Sequence, residues 1–190
     1  MDFADASFLL PVSDVLPRWR GRDVLVAGCV ERGRVRPGDD VEFVGYGRRT
    51  SARVGDIVLL RERVAEASTG MSVGLLFPGA VAGLVEPGQV VAAPGAVGAH
   101  LSFAADLALL SEEHGATELR TGDGLGFHLR TAVARGTVVL PRGTDVLHPL
   151  HTAVVTVVLE RPLVLEPGQV FAFRQRGRAA GSGTVRRILG

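Results

Sequence analysis

Apolar and polar positions alternate along short runs through most of the chain. In residues 24–30 (VLVAGCV), Val24, Val26, Gly28 and Val30 fall on one face and Leu25, Ala27 and Cys29 on the other, because successive side chains of a strand point to opposite sides. Neither face carries a charge before Glu31, which predicts a strand buried on both sides. Arg36-Pro37-Gly38-Asp39 then supplies a turn, with Pro fixing φ at the first central position and Gly permitting φ > 0 at the second. Val41 and Phe43 resume one face with Asp40 and Glu42 opposite. Further strand-like runs stand at residues 8–15, 52–60, 72–77, 89–93, 125–139, 153–159 and 184–189, bounded mostly by Gly or Pro. Pro11 belongs at an edge or bulge. Residues 61–67 have helix propensity but are too few to hold a helix unaided. Residues 100–114 are ambiguous: Leu101, Phe103, Ala105, Leu107 and Leu109 alternate as in a strand, while the composition favours helix. Residues 1–7 read as a linker or frayed end, and residues 17–23 as a basic loop.

The Pro-Gly device recurs. Glu86-Pro87-Gly88-Gln89 precedes Val90, and Glu166-Pro167-Gly168-Gln169 precedes Val170, so a turn that launches a strand stands near the end of each half. Residues 93–99, rich in Gly, Ala and Pro, form the natural boundary and leave two pieces of domain size. Many short strands at roughly ten-residue spacing without a long helix predict an all-β protein of barrels or sandwiches.

Composition narrows the chemistry. The 190 residues are 46% hydrophobic with a formal net charge of +1, so bulk charge selects no partner. There is no secretory pattern, and the single cysteine, Cys29, excludes an internal disulfide; both point to a reduced, cytoplasmic setting. The chain contains neither Lys nor Asn. A phosphate loop of the G-x-x-x-x-G-K-[ST] type, a lysine Schiff base and N-glycosylation are therefore excluded. His148-Pro149-Leu150-His151 lacks a helical spacing and an accompanying acid or Cys cluster for a metal. Gly181-Ser182-Gly183 is not a nucleophile elbow, and Cys29 reads as inert packing in a buried strand.

At the level of whole strings, the chain resembles bacterial elongation factor Tu. FLLPVSDV (8–15) and GRDVLVAGCVERGRVRPGDDVEFVG (21–45) are similar to the opening of that family's second domain. SVGLLFPG (72–79), VEPGQVVAAPG (85–95), AHLSF (99–103), FHLRTAVARGTVVLPRG (127–143) and FAFRQRGRAAGSGTVRRILG (171–190) follow in the family's order. The resemblance implies two consecutive six-stranded antiparallel β-barrels, residues 8–94 like the family's second domain and 95–190 like its third, C-terminal one. It settles the ambiguous segment as a strand. The family's GTPase domain would precede Phe8, where seven residues stand, so either a short paralogue without that domain or an excised fragment is expected, the departures from the family strings favouring the paralogue, with no enzymatic activity.

The resemblance also implies sites. The family's second domain holds the aminoacylated 3′ end of tRNA beside a string matched here by Pro11-Val12-Ser13-Asp14-Val15-Leu16. Asp14 is kept, whereas Ser13 replaces an acid and Leu16 an aromatic residue. His100 matches a histidine at the same pocket. The third domain grips the tRNA backbone, through contacts matched by Arg130, Thr131, Gly177 and Arg178. Arg174, Arg176, Arg186 and Arg187 add local positive charge suited to phosphates. The loop matching the family's GTPase-facing segment, residues 113–127, has lost nearly all of that string. The expectation is a non-catalytic module contacting tRNA and translation-machinery proteins, with no cofactor or metal and neither membrane nor DNA as partner. The alternatives are a protein-interaction module or decoy with an elongation-factor-like surface, and a degenerate paralogue without a ligand.

Overall fold

The computed structural model describes residues 6–17 and 23–190. The basic loop expected at 17–23 falls largely outside the described residues, as do residues 1–5 of the N-terminal linker. The chain divides into two compact units, one ending at Gly98 and the other beginning at Ala99.

The first unit contains β1 (Leu9–Pro17), β2 (Asp23–Cys29), β3 (Arg34–Val35), β4 (Asp40–Gly45), β5 (Arg48–Arg53), β6 (Asp56–Leu59), β7 (Glu62–Val64), β8 (Ala67–Ser68), β9 (Ser72–Pro78) and β10 (Val90–Ala92). Strand order runs β5-β4-β10-β1-β2-β9-β6-β7, with β3 and β8 as a separate ribbon. β5 leads into β6 across Val54 and Gly55, and the Gly55 N–H donates to Leu76 O on β9 at 2.7 Å. β5 and β6 are thus one bent segment, which carries the β5 end of that order round to β9 and gives the sheet six barrel-like positions. Its core includes Phe43 and Phe77, whose rings meet edge-on at 4.9 Å. Pro11 sits where β1 passes from β10 to β2, one residue before a bulge between Val12 and Asp14, so its missing N–H falls at a change of partner.

The second unit is a closed barrel in the order β11-β14-β13-β12-β15-β16. Its strands are β11 (Ala99–Leu109), β12 (Gly124–Leu129), β13 (Ala132–Val139), β14 (Thr152–Val164), β15 (Val170–Gln175) and β16 (Arg178–Ile188). β13 alternates buried and exposed at every position. Phe103, Phe127 and Phe171 fill the interior with edge-on contacts of 5.6 and 5.8 Å. Closure demands glycine on β16. A Cβ on Gly181 would lie 2.1 Å from Ala108 O, and one on Gly183 would lie 2.4 Å from the Phe171 ring.

Four turns share one lock. In 36–39, 86–89, 120–123 and 166–169, the Asp or Gln at the fourth position accepts from the backbone N–H of the first, at 2.8 to 3.2 Å. In each, the glycine N–H donates to a carbonyl on a neighbouring segment (Val54, Val12, Val138 or Val185), and that residue's N–H donates to the fourth residue's carbonyl. Three of these are the Pro-Gly turns of the sequence; the fourth, Arg120-Thr121-Gly122-Asp123, lacks the proline.

Three expectations are corrected. β2 is buried on one face only: Val24, Val26 and Gly28 point inward, while Leu25 and Ala27 are half-buried and Cys29 is exposed. Cys29 is therefore not packing in a core. Residues 61–64, too few to hold a helix as expected, form the tip and second strand of the β6–β7 hairpin, with Ile57 paired to Val64, and Ala67 opens β8. The run at 125–139 is two strands folded back at Arg130-Thr131, and the run at 52–60 is bent into β5 and β6.

Candidate functional site

Ser13, Asp14 and Leu16 lie on the outer face of the first barrel. Ser13 is the bulge residue, and its hydroxyl donates to Ala27 O at 2.9 Å. Asp14 is exposed opposite Ala27, and Leu16, 51% exposed, is opposite Leu25. Gly74, the next neighbour beyond Ala27, leaves room that the Leu25 side chain occupies, since a Cβ there would meet Leu25 Cδ1 at 2.5 Å. The result is a small apolar surface with one carboxylate at its margin, able to hold an apolar group carrying a positive charge. His100, near the start of β11 in the second unit, pairs with Leu163 and is half-exposed.

In the second unit, Arg130 and Thr131 make the two-residue turn between β12 and β13. Arg130 has φ of +52°. Its guanidinium turns inward, with the side chain 9% exposed. It donates to Val164 O at 3.0 Å, to Gln169 Oε1 at 3.0 Å and to Glu166 Oε2 at 2.6 Å. Arg130 therefore ties the β12–β13 turn to the lock at 166–169. Thr131, its neighbour, is exposed.

Gly177 and Arg178 belong to the β15–β16 hairpin. Arg176 and Gly177 both have positive φ, +50° and +79°, the twist of a type I′ turn. Gln175 points inward, accepting from Thr117 N–H at 3.1 Å and donating to Glu118 O at 3.2 Å. That anchor forces Arg174 and Arg176 outward by alternation, and both are exposed together with Arg178. Charge compensation differs across the molecule. Arg36, Arg53 and Arg186 sit 2.6 to 2.9 Å from Glu66, Asp40 and Asp106. Among the described residues, Arg176, Arg178 and Arg187 have no such acid, so the positive charge gathers at the hairpin and not at Arg186.

Two further polar clusters lie apart from these residues in sequence. Glu42 accepts from the Gly95 N–H at 3.0 Å and from Arg49, whose other nitrogen donates to Val97 O at 3.0 Å. The Gly95 amide, followed by the Arg49 guanidinium, holds the Glu42 carboxyl below the usual carboxylate range. His148 lies 3.2 Å from Glu118, with the His151 ring 6.1 Å away. Sequence reasoning missed Gly124, Gly126 and Arg135, which the barrel brings beside Arg174. Their signal is glycine at alternate outward positions of a strand, where nothing apolar marks them.

Residues 96–189 match the family model of the elongation factor Tu C-terminal domain.

Proposed function

From the premise that the chain, over residues 96–189, belongs to the elongation factor Tu C-terminal domain family, we propose that it is a non-catalytic translation module that contacts tRNA. The carrying observation is the β15–β16 hairpin, where Arg176 and Arg178 project without an acid partner while buried Gln175 fixes its orientation. Such a hairpin suits ribose-phosphate contacts, which require charge and backbone N–H groups rather than base readout. In this reading Thr131, Gly177 and Arg178 meet the backbone, and Arg130 fixes the turn that presents Thr131. Residues 8–94 act as a second-domain-like barrel. The Leu16–Leu25 surface with Asp14 receives the aminoacyl group, weakly because Ser13 is spent on Ala27.

Fluorescence anisotropy with charged and uncharged tRNA at low and moderate salt tests this. Binding that steepens at low salt, with Arg178→Ala lowering the slope of log K against log salt by about 1, is the expected result. No binding at low salt ends the RNA reading, and equal affinity for charged and uncharged tRNA ends the aminoacyl part. A second reading, a protein-interaction surface, is favoured by Val139, Val154 and Val158, each 41 to 43% exposed on the outer face of β13 and β14. It predicts that Val158→Asp abolishes partner capture without altering tRNA affinity.

A further inference from the structure

The outer wall of the second barrel holds a cleft that borders the β15–β16 hairpin along Arg174, Arg176 and Gly177 but has its floor on β12, outside both candidate sites. Its floor is β12, whose outward positions are Gly124, Gly126 and His128. Neither glycine is required by the backbone, since neither has positive φ, nor by packing, since a Cβ on either would meet nothing within 4 Å. Missing side chains alone open a cleft of about 520 Å³. Gly126 pairs with Arg135 on β13 and Arg174 on β15. Two strand spacings put the backbones of these arginines about 10 Å apart, with a bare floor between them. The Arg176-Gly177 turn lines the cleft as well. Further along the floor, His128 lies between Val133, 60% exposed, and Ala172, giving an apolar stretch with an imidazole.

Charge decides what fits. Among the described residues Arg135 and Arg176 have no acid partner, and Arg174 reaches only the Gly177 carbonyl at 3.5 Å. The one acid lining the cleft is Glu160. It follows Leu159, which pairs with Gly136, so it stands on the far side of Arg135 from the glycine floor. Two arginines that line one cleft on either side of open backbone suit a multi-oxygen anion. Glycine lets that anion approach closely, and the volume lies in the range of small-ligand sites, about 300–1,000 Å³.

We propose that this cleft binds a phosphorylated small molecule of mononucleotide size, with its phosphates over Gly126 between Arg135 and Arg174 and its ring against Val133 and His128. The proposal does not rest on the tRNA reading, although the cleft shares one edge with the β15–β16 hairpin. The test is titration of the full chain with a fluorescent nucleoside diphosphate, with inorganic pyrophosphate and with an oligoribonucleotide. The nucleoside diphosphate is expected to saturate and to bind at least tenfold more tightly than pyrophosphate, because only it uses the apolar end. Arg135→Gln with Arg174→Gln should weaken it at least tenfold, and Glu160→Gln should strengthen it. Gly126→Val keeps every charge and plugs the floor. It should abolish nucleotide binding while leaving the tRNA salt slope and the thermal midpoint unchanged. Gly124→Val serves the same purpose if Gly126→Val lowers the midpoint. Undiminished nucleotide binding in a folded plugged variant overturns the proposal. So does binding of the oligoribonucleotide alone, which would assign the cleft to a longer nucleic acid.

Discussion

At the scale of single residues, Arg130 and Glu42 are polar side chains that join distant parts of the chain. Arg130→Ala removes a charged donor from Glu166, Gln169 and the Val164 carbonyl. Loss of such a charge-assisted set should cost about 2–3 kcal/mol, read as a lower urea midpoint. Because the guanidinium faces inward, Arg130→Ala should change tRNA affinity through stability and leave the salt slope alone, in contrast with Arg178→Ala. Glu42 ties the segment at 95–97 to the first barrel. Its carboxyl titrates below the ordinary value of about 4.3, so the tie is complete above that pH and is lost as pH falls through the lowered folded value. The Gly95 amide resonance should move with a midpoint below that of a free glutamate, and Glu42→Gln should erase the movement. Arg130 was visible in a family string, but its partners Glu166 and Gln169 lie over thirty residues away and only the fold brings them to it.

Among the elements, the turn lock sets register four times over, and glycine on β16 lets the second barrel close. Gly183→Val would drive a branched side chain into the Phe171 ring and the Asp106 carbonyl. Overpacking of this kind costs about 1–3 kcal/mol, so the urea midpoint should fall clearly, whereas Gly122→Ala, facing open space, should pay only for its positive φ. Most strands were legible, because alternation and Pro-Gly turns are local signals. The lock at Arg120-Thr121-Gly122-Asp123 was not, since without proline only its hydrogen bonds identify it. The one-sided burial of β2 was illegible for a different reason. Leu25 and Ala27 are apolar yet lie on the outer wall, so their polarity carried no information about which side faced the core. The same blindness hid the cleft, where the informative atoms are those that Gly124 and Gly126 lack.

For the molecule as a whole, each unit has its own sheet and its own aromatic core, and the sheet of the second closes on itself. Residues 99–190 expressed alone should therefore keep a β-rich circular dichroism spectrum and melt cooperatively; a flat melt would show that the second barrel needs the first. Among the described residues no helix is long and apolar enough to cross a membrane. Arginine supplies all the non-histidine positive side chains, and an arginine fork keeps its charge at any pH the fold survives.

Cys29, exposed at the end of β2, is the only thiol in a sequence that also has no lysine ε-amine. A maleimide dye or nitroxide would thus attach to the native sequence at one defined point, with no cysteine to remove and no amine side chain to compete. The label would sit on the outer wall of the first barrel, on the strand that also carries Leu25 and Ala27. Its emission or line width would report any ligand settling against that wall, without altering a residue on the second barrel.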